Sequence, residues 1–419
     1  MTASMDRDRA PLRAWPLDAV SFFMADMQAG IGPFLGVFLL AHGWQSGEIG
    51  TVMSLGGLAG VLVTAPAGAL VDATTKKRAL VVVPGLFTVL ASAIVLLSQK
   101  FWLVAASQVA TAIAGAAIVP ALGGITLGLV GQRGFNRRNG RDQAFNHAGN
   151  VAGAALSWLC GRLFGWSAVF WLAAGFGVAT VASIACIPAR AIDHAVARGL
   201  DRDDDADHGS ASGIRVLFES KPLLVLAAAL FFFHLGNAAM LPLFGLAVSS
   251  TGKGDPASLV ATTIVVAQGV MIVTSIVAMR TAETSGYWWV LLVSFVSLPI
   301  RGLVAAKLVS VAGVYPVQAL DGIGAGLQSV AVPGLVARIL DGSGRVNVGQ
   351  GAVMTTQGIG AALSPAIGGW LAQIFGYPIA FFVLGACALV SIATWLFFAE
   401  AVRPACTRAP VSARSPKPA

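Results

Sequence analysis

Twelve apolar stretches, each long enough to cross a bilayer, run through this 419-residue chain. A helix needs about 20 residues to span a hydrocarbon core. The stretches fall at 17–41, 49–71, 79–98, 102–130, 143–165 and 167–188, then at 222–248, 258–280, 287–309, 311–337, 350–375 and 378–400. Within lipid every backbone N–H and C=O needs an internal partner, so segments of this length and composition are expected to be helices. With 56% hydrophobic residues, 11% charged residues and a mean hydropathy of +0.79, little polar surface remains to cover a water-soluble globule. A soluble domain carries about a quarter charged residues. The 49 glycines suit membrane helices that pack backbone to backbone. The expected fold is an all-α membrane protein of twelve transmembrane helices.

A net charge of +8 would fit a nucleic-acid partner if the basic residues formed one face, but they do not. All of the 27 Lys and Arg except Lys100, Arg162, Lys253, Arg301 and Lys307 fall in the two termini or in alternate connections between spans. That asymmetry is the positive-inside pattern, and it places both termini in the cytoplasm of a cell whose inner membrane holds the chain. Arg133, Arg137, Arg138 and Arg141 read most simply as such topogenic charges. Arg162, Arg301 and Lys307 read as lying nearer the outer face, where they can snorkel, and receive no function. Cys160, Cys186 and Cys387 fall inside apolar stretches and Cys406 near the end, with no metal-ligand spacing, so neither disulfides nor zinc are expected. The first apolar run is long and contains Asp26, which reads as the first span and not as a cleaved leader.

The stretches divide into two sets related by an internal repeat. Phe22-Phe23, Pro33 and Gly36 recur 209 positions on as Phe231-Phe232, Pro242 and Gly245. Gly153-Ala-Ala-Leu-Ser157 recurs as Gly360-Ala-Ala-Leu-Ser364, and Gln108 matches Gln318 at nearly the same offset. Two six-helix, pseudo-symmetric bundles are therefore expected at 17–188 and 222–400, a transporter arrangement. A cytoplasmic arm (1–16), a central linker (189–221) holding the acidic run Asp201 to Asp207, and an unstructured tail (401–419) complete the division.

The loop after the second span reads Gly68-Ala-Leu-Val-Asp72-Ala-Thr-Thr-Lys76-Lys77-Arg78. It resembles the G-x-x-x-D-R-x-G-R-R signature of the major facilitator superfamily, with Ala73 in place of the usual Arg and Thr75 in place of Gly. The resemblance covers nearly the whole chain. It implies that Gly68, Asp72, Lys76, Lys77 and Arg78 form a cytoplasmic gate, a carboxylate near a helix N-terminus being favourable there. The alternative is a topogenic loop alone. Two antiporter features are altered: Gln108 stands where the fourth span often carries Arg, and the fifth span has Ser157-Trp158-Leu-Cys-Gly161-Arg162 for G-P-x-x-G-G. The eleventh span keeps a cleaner version, Ser364-Pro365-Ala-Ile-Gly368-Gly369. Phe233-His234-Leu-Gly-Asn237 to Pro242 resembles bacterial efflux-permease relatives.

An ionisable side chain at mid-membrane costs about 2.5–3.5 kcal/mol and is tolerated where it faces protein or water. Asp26, His234 and Asp321 lie near the middle of spans 1, 7 and 10. The family resemblance implies that spans 1, 4, 7 and 10 line a central cavity, which would also hold Gln28, Gln108, Asn237 and Gln318. His234/Asn237 and Gln318/Asp321 are three apart and share helix faces, and Gln328 stacks with Asp321. Asp26 and Asp321 are candidates for proton coupling, because a carboxylate in a cavity that opens to one side and then the other can carry a proton across; His234 can relay or bind solute. Each of these groups also has a purely structural reading, as a satisfied interhelical hydrogen-bonding group. Pro33, Pro120, Pro242 and Pro365 are expected to bend their helices, and Gly149/Gly153 and Gly358/Gly360 to allow close helix contact.

These features point to a monomeric secondary transporter of a small organic solute, working by alternating access with proton-coupled export. Proton-symport uptake and a non-transporting receptor or scaffold are the alternatives. No cofactor is expected, and no nucleophile–base pair, metal cluster or phosphate loop suggests an enzyme. With no cationic side chain assigned to the cavity, a neutral or cationic amphipathic solute is mildly favoured over an anion.

Overall fold

In the computed structural model, the described residues are 15–29, 31–194, 196–198, 217–252, 256–340 and 346–407. The arm before 15, the acidic run 201–207 and the tail beyond 407 lie outside them. Fifteen helices follow in order: α1 (Trp15–Ala29), α2 (Ile31–Ala41), α3 (Ser46–Ala73), α4 (Ala79–Leu97), α5 (Phe101–Gly115), α6 (Ile118–Phe164), α7 (Trp166–Ala185), α8 (Lys221–Asn237), α9 (Met240–Ser250), α10 (Pro256–Ser285), α11 (Tyr287–Lys307), α12 (Val314–Ile339), α13 (Val346–Phe375), α14 (Tyr377–Phe397) and α15 (Ala399–Cys406).

Nine stretches among the described residues are long and apolar enough to cross a membrane. They correspond to expected spans 2, 4, 6 and 7–12. The other three are helical as well, as α1 with α2, as α4, and as the second part of α6. Exposed side chains such as Leu97 (85%), Trp102 (79%) and Phe397 (83%) are at home against lipid tails.

Two expected spans are broken four residues before a proline. Pro242 has no N–H for the carbonyl four residues back and its ring crowds that carbonyl, and the helix is interrupted at 238–239, between α8 and α9. Pro120 stands in the same relation to the break at 116–117. Pro365, expected to bend its span, lies within α13, which continues through it. Turns are made by glycines with positive φ. Gly43 (87°) and Gly252 (66°), 209 positions apart, end α2 and α9, and Gly165, Gly286 and Gly376 (79–86°) each join two long helices by one residue. Gly131 (φ 69°, ψ 174°) divides α6, so 132–142, expected as a loop, is helical.

The repeat extends to individual contacts. A Cβ on Gly149 would strike the carbonyl of Phe22, and one on Gly360 the carbonyl of Phe231, 209 positions along. Glycine at these positions lets α6 lie on α1 and α13 lie on α8.

The chain forms two compact units: Met1–Ile31, Val63–Leu97 and Ala110–Asp205, and Gly32–Leu62, Ser98–Val109 and Ala206–Ala419. α3 is thus shared between them. The core of the first unit includes Leu17, Val20, Val71, Val81, Ile118, Ile125 and Ile184. In the second, Phe295 packs tilted against Phe233 (6.0 Å) and edge-on against Trp395 (5.6 Å). Gly302 brings α11 onto α14, since a Cβ there would lie 2.7 Å from the Phe381 carbonyl.

The segment from 401, expected to be unstructured, begins in α15. Val402 and Cys406, one turn apart, are buried; Arg338 donates to the Cys406 carbonyl (2.7 Å) and Arg403 lies over the Trp288 ring (4.2 Å). Burial pushes the Cys406 thiol up to about 12, leaving it protonated and unreactive.

Candidate functional site

The polar centre of the second unit is built around Arg301, which the sequence reading left at the outer face. That assignment is corrected: Arg301 is 1% exposed. Its Nη1 donates to Asp321 Oδ1 (2.7 Å) and to Asn237 Oδ1 (2.6 Å), its Nη2 to Gln318 Oε1 (3.3 Å) and its Nε to the Val317 carbonyl (3.2 Å). Asn237 Nδ2 also donates to Asp321 Oδ1 (3.2 Å). One guanidinium on α11 therefore gathers an acid and an amide from α12 and an amide from α8. Helical spacing explains the convergence, since Gln318 and Asp321 share the face of α12 turned to α11. A cation and an anion taken out of water together are tolerable only with this density of hydrogen bonds.

Two features leave the site unfinished. Gln318 is fully buried, yet its Nε2 has no partner, whereas buried amides are ordinarily satisfied. Asp321 keeps 14% of its side chain exposed, the most open member of the ion pair. His234, one turn from Asn237, donates from Nδ1 to the Leu230 carbonyl (3.0 Å), which requires its proton on that nitrogen. Gln328 belongs to the α11–α12 seam, where it donates to Ser294 Oγ (2.9 Å). Gln108 on α5 backs onto Gly56 of α3. Asp26 and Gln28 lie in α1, but their side chains, like that of Asp72, are outside the described part.

The basic loop motif does local work inside the first unit. Lys77 is fully buried and donates from Nζ to the Val71 carbonyl (2.6 Å) at the end of α3. Arg78 Nη2 donates to the Ala185 carbonyl (3.2 Å) at the end of α7. Both place a cation on the carbonyl-rich end of a helix. Lys76 is exposed, and the space a Cβ would take on Gly68 is open.

A second ionic cluster ties α1 to α6. Asp18 accepts from Arg138 Nη2 (2.7 Å) and, in bidentate fashion, from Arg141 Nε and Nη2 (2.9 and 2.7 Å). Arg138 also grips Asp142, four residues on (2.6 Å). Arg138 and Arg141, read as topogenic charges, are thus also ion-pair partners; the side chains of Arg133 and Arg137 are outside the described part. Burial raises the Asp142 carboxyl above its ordinary value, outweighing the bonds from Arg138.

Within the second unit, the first part of α3 is zipped to α13. Ser46 shares a hydrogen bond with Tyr377 at the start of α14 (2.8 Å). Gly47 N donates to Gln373 (3.0 Å), Trp370 Nε1 to Thr51 (3.0 Å), and Ala366 N to Ser54 Oγ (2.9 Å). Gly50 meets the Pro365 carbonyl, and a Cβ on Gly57 would lie 3.0 Å from that of Ala362. The void left where α3, α9 and α13 meet is about 10 Å³, at the lower limit for one water. Ser364 turns the other way and accepts the N–H of Ala239 (2.9 Å) at the α8–α9 break.

Long apolar helices and a buried Arg301–Asp321 pair suit a membrane transporter, and comparison with known proteins places the chain in that class. The family model described as Major Facilitator Superfamily matches residues 17–310, and the chain belongs to that superfamily. It is 39% identical over 379 residues to an uncharacterized MFS-type transporter of Mycobacterium tuberculosis, found in two strains, covering 90% of this chain and 91% of that protein. Among solved structures it resembles a point mutant of the nucleoside transporter NupG (TM-score 0.77, 13% identity, 92% of this chain and 99% of the other). It also resembles a bacterial homolog of the human lysosomal transporter Spinster, in an inward-facing and occupied conformation (TM-score 0.75, 11% identity, 95% and 98%). At these identities the structures speak for the fold alone.

Sequence reasoning found Asp321, Asn237 and Gln318 but missed the residue that joins them. The signal was available: Arg301 lies fourteen residues into its span, too deep to snorkel easily, and an intramembrane acid calls for a counter-charge.

Proposed function

We propose that this chain moves a small organic solute across the inner membrane by alternating access, as a monomer with cytoplasmic termini, and that protons drive export. The observation carrying this reading is the Arg301–Asp321 pair, held in a membrane-spanning bundle by neutral amides from α8 and α12. Protonation of Asp321 would cancel the charge that holds Arg301, freeing the guanidinium to rearrange. Coupling then consists of exchanging a proton for that ion pair. His234 and Asp26 are the further coupling candidates, and Gln28, Gln108, Asn237 and Gln318 the solute-facing amides. The arginine also removes the premise for disfavouring an anion: a released guanidinium would accept a carboxylate or phosphate.

The α3–α13 zipper supports a gate at the end of α3 away from the Lys76–Arg78 loop. The loop motif, with Asp72, is proposed as the gate on the cytoplasmic side.

The test uses purified protein in proteoliposomes carrying an internal pH dye. Solutes are first selected by pH-dependent thermal stabilisation. Asp321→Asn should retain solute binding and lose solute-driven proton movement. Undiminished proton movement in that variant would remove Asp321 from the mechanism. Proton movement in the same direction as the solute would replace export with symport.

A further inference from the structure

A groove of about 490 Å³ lies in the first unit where the loop after α3 meets the ends of α4 and α7. Its floor is apolar, with Val82, Val181 and Ile192, and its rim carries Lys76, Arg78 and His194. Two rim nitrogens are buried without a partner, Arg78 Nε and His194 Nδ1. Arg78 is already oriented by its bond to the Ala185 carbonyl, so its Nε edge is held in place. Asp193, the carboxylate next to His194, accepts a hydrogen bond from the Val196 backbone N–H (3.2 Å). A buried unpaired guanidinium N–H beside a flexible lysine and an imidazole able to turn a proton toward it calls for an oxygen-rich anion.

The apolar side of the groove does not end in water. From Val82 the face of α4 continues through Leu86, Leu90 and Ile94, one turn apart, and these three are exposed at 47%, 59% and 37%. On α7, Val181 is followed toward the opposite end by Val178, exposed at 59%. In a membrane this is a lipid-facing track that starts at a cationic rim.

We infer that the Lys76–Arg78–His194 groove binds an anionic phospholipid, its phosphate on the rim and its acyl chain along the Val82–Leu86–Leu90 track of α4. A basic pocket at the headgroup level recognises such lipids by charge, and the track gives the chain a surface no free phosphate would need. The site lies beside the loop motif, with Lys76 and Arg78 serving both, so headgroup binding would steady the ends of α3 and α7.

The test uses delipidated full-length protein in neutral detergent, titrated with dioleoylphosphatidylglycerol, dioleoylphosphatidylcholine or inorganic phosphate. Native mass spectrometry reads binding and thermal unfolding reads stabilisation. Phosphatidylglycerol should bind about tenfold or more tightly than phosphatidylcholine, and Lys76→Gln with Arg78→Gln should weaken it about 30-fold. Should loss of the Arg78 contact to α7 prevent folding, Lys76→Gln with His194→Gln leaves that contact intact and should still weaken binding several-fold. Equal affinity for the two lipids, or wild-type affinity in the charge-removed variants, would overturn the site. Stabilisation by inorganic phosphate alone, matching that by lipid, would reassign it to a free anion.

Discussion

The two ionic clusters, one in each compact unit, solve the same electrostatic problem in opposite ways. Around Asp18 there are two arginines and two acids, and Arg141 leaves 54% of its side chain in solvent. Loss of Asp142 or of either arginine leaves Asp18 a partner, and loss of Asp18 leaves Arg138 with Asp142. Around Arg301 there is one cation, one anion and a shell of neutral amides, nearly all buried. Redundant, part-wet charges share the cost of losing one; a single buried pair concentrates it, because losing either charge strands the other. The repeat sharpens the contrast. Positions 209–210 residues before Arg301 and Asp321 are Ser92 and Thr111, so the pair has no counterpart in the other half.

The comparison is most exposed to Arg301→Met. That change leaves a carboxylate with little access to water, and should cost about 3–5 kcal/mol in thermal unfolding of the detergent-solubilised protein. Adding Asp321→Leu should restore most of the loss, since removing both charges is far cheaper than stranding one. A single variant as stable as wild type would erase the distinction between the clusters.

Asp18→Asn should cost less, about 1–3 kcal/mol, because Arg138 keeps Asp142 and Arg141 can turn to water. Salt should separate the sites further. Raising ionic strength to about 1 M shortens the Debye length to about 3 Å and should shrink the Asp18→Asn penalty while leaving that of Arg301→Met unchanged. Equal salt sensitivity would mean that the two environments are not different.

The smallest effect concerns pH. The folded Asp142 carboxyl lies above its unfolded value, so the folded state holds more proton in that window. Its contribution to stability is present below the ordinary carboxylate range and fades as pH rises through the folded value. Asp142→Asn removes stability gained on acidification, so melting temperature should fall slightly more steeply as pH drops through the carboxylate range. A shallower decline would reverse the assigned cause.

Much of this was readable from residue order. Span length pointed to the helices, and Pro120 and Pro242 located two breaks by the loss of one N–H each. The fold of α15 was hidden because its burial depends on Arg338 and Trp288, distant in sequence. At the site, helix-face arithmetic grouped Gln318 with Asp321 and His234 with Asn237. It could not show that the face of α12 turns toward α11, because that depends on how three helices pack. The same reason hid the Asp18 cluster, whose partners lie 120 and 123 positions apart.

The α3–α13 zipper has a one-sided mutational future. Gly47, Gly50 and Gly57 face their neighbours with nothing beyond a hydrogen, and two of the hydrogen bonds there use main-chain N–H groups. Any side chain added at these glycines acts as a wedge, and none can draw the helices closer than they already lie. Variation at these positions can therefore only loosen the seam, so mutation has many ways to part these helices and almost none to tighten them.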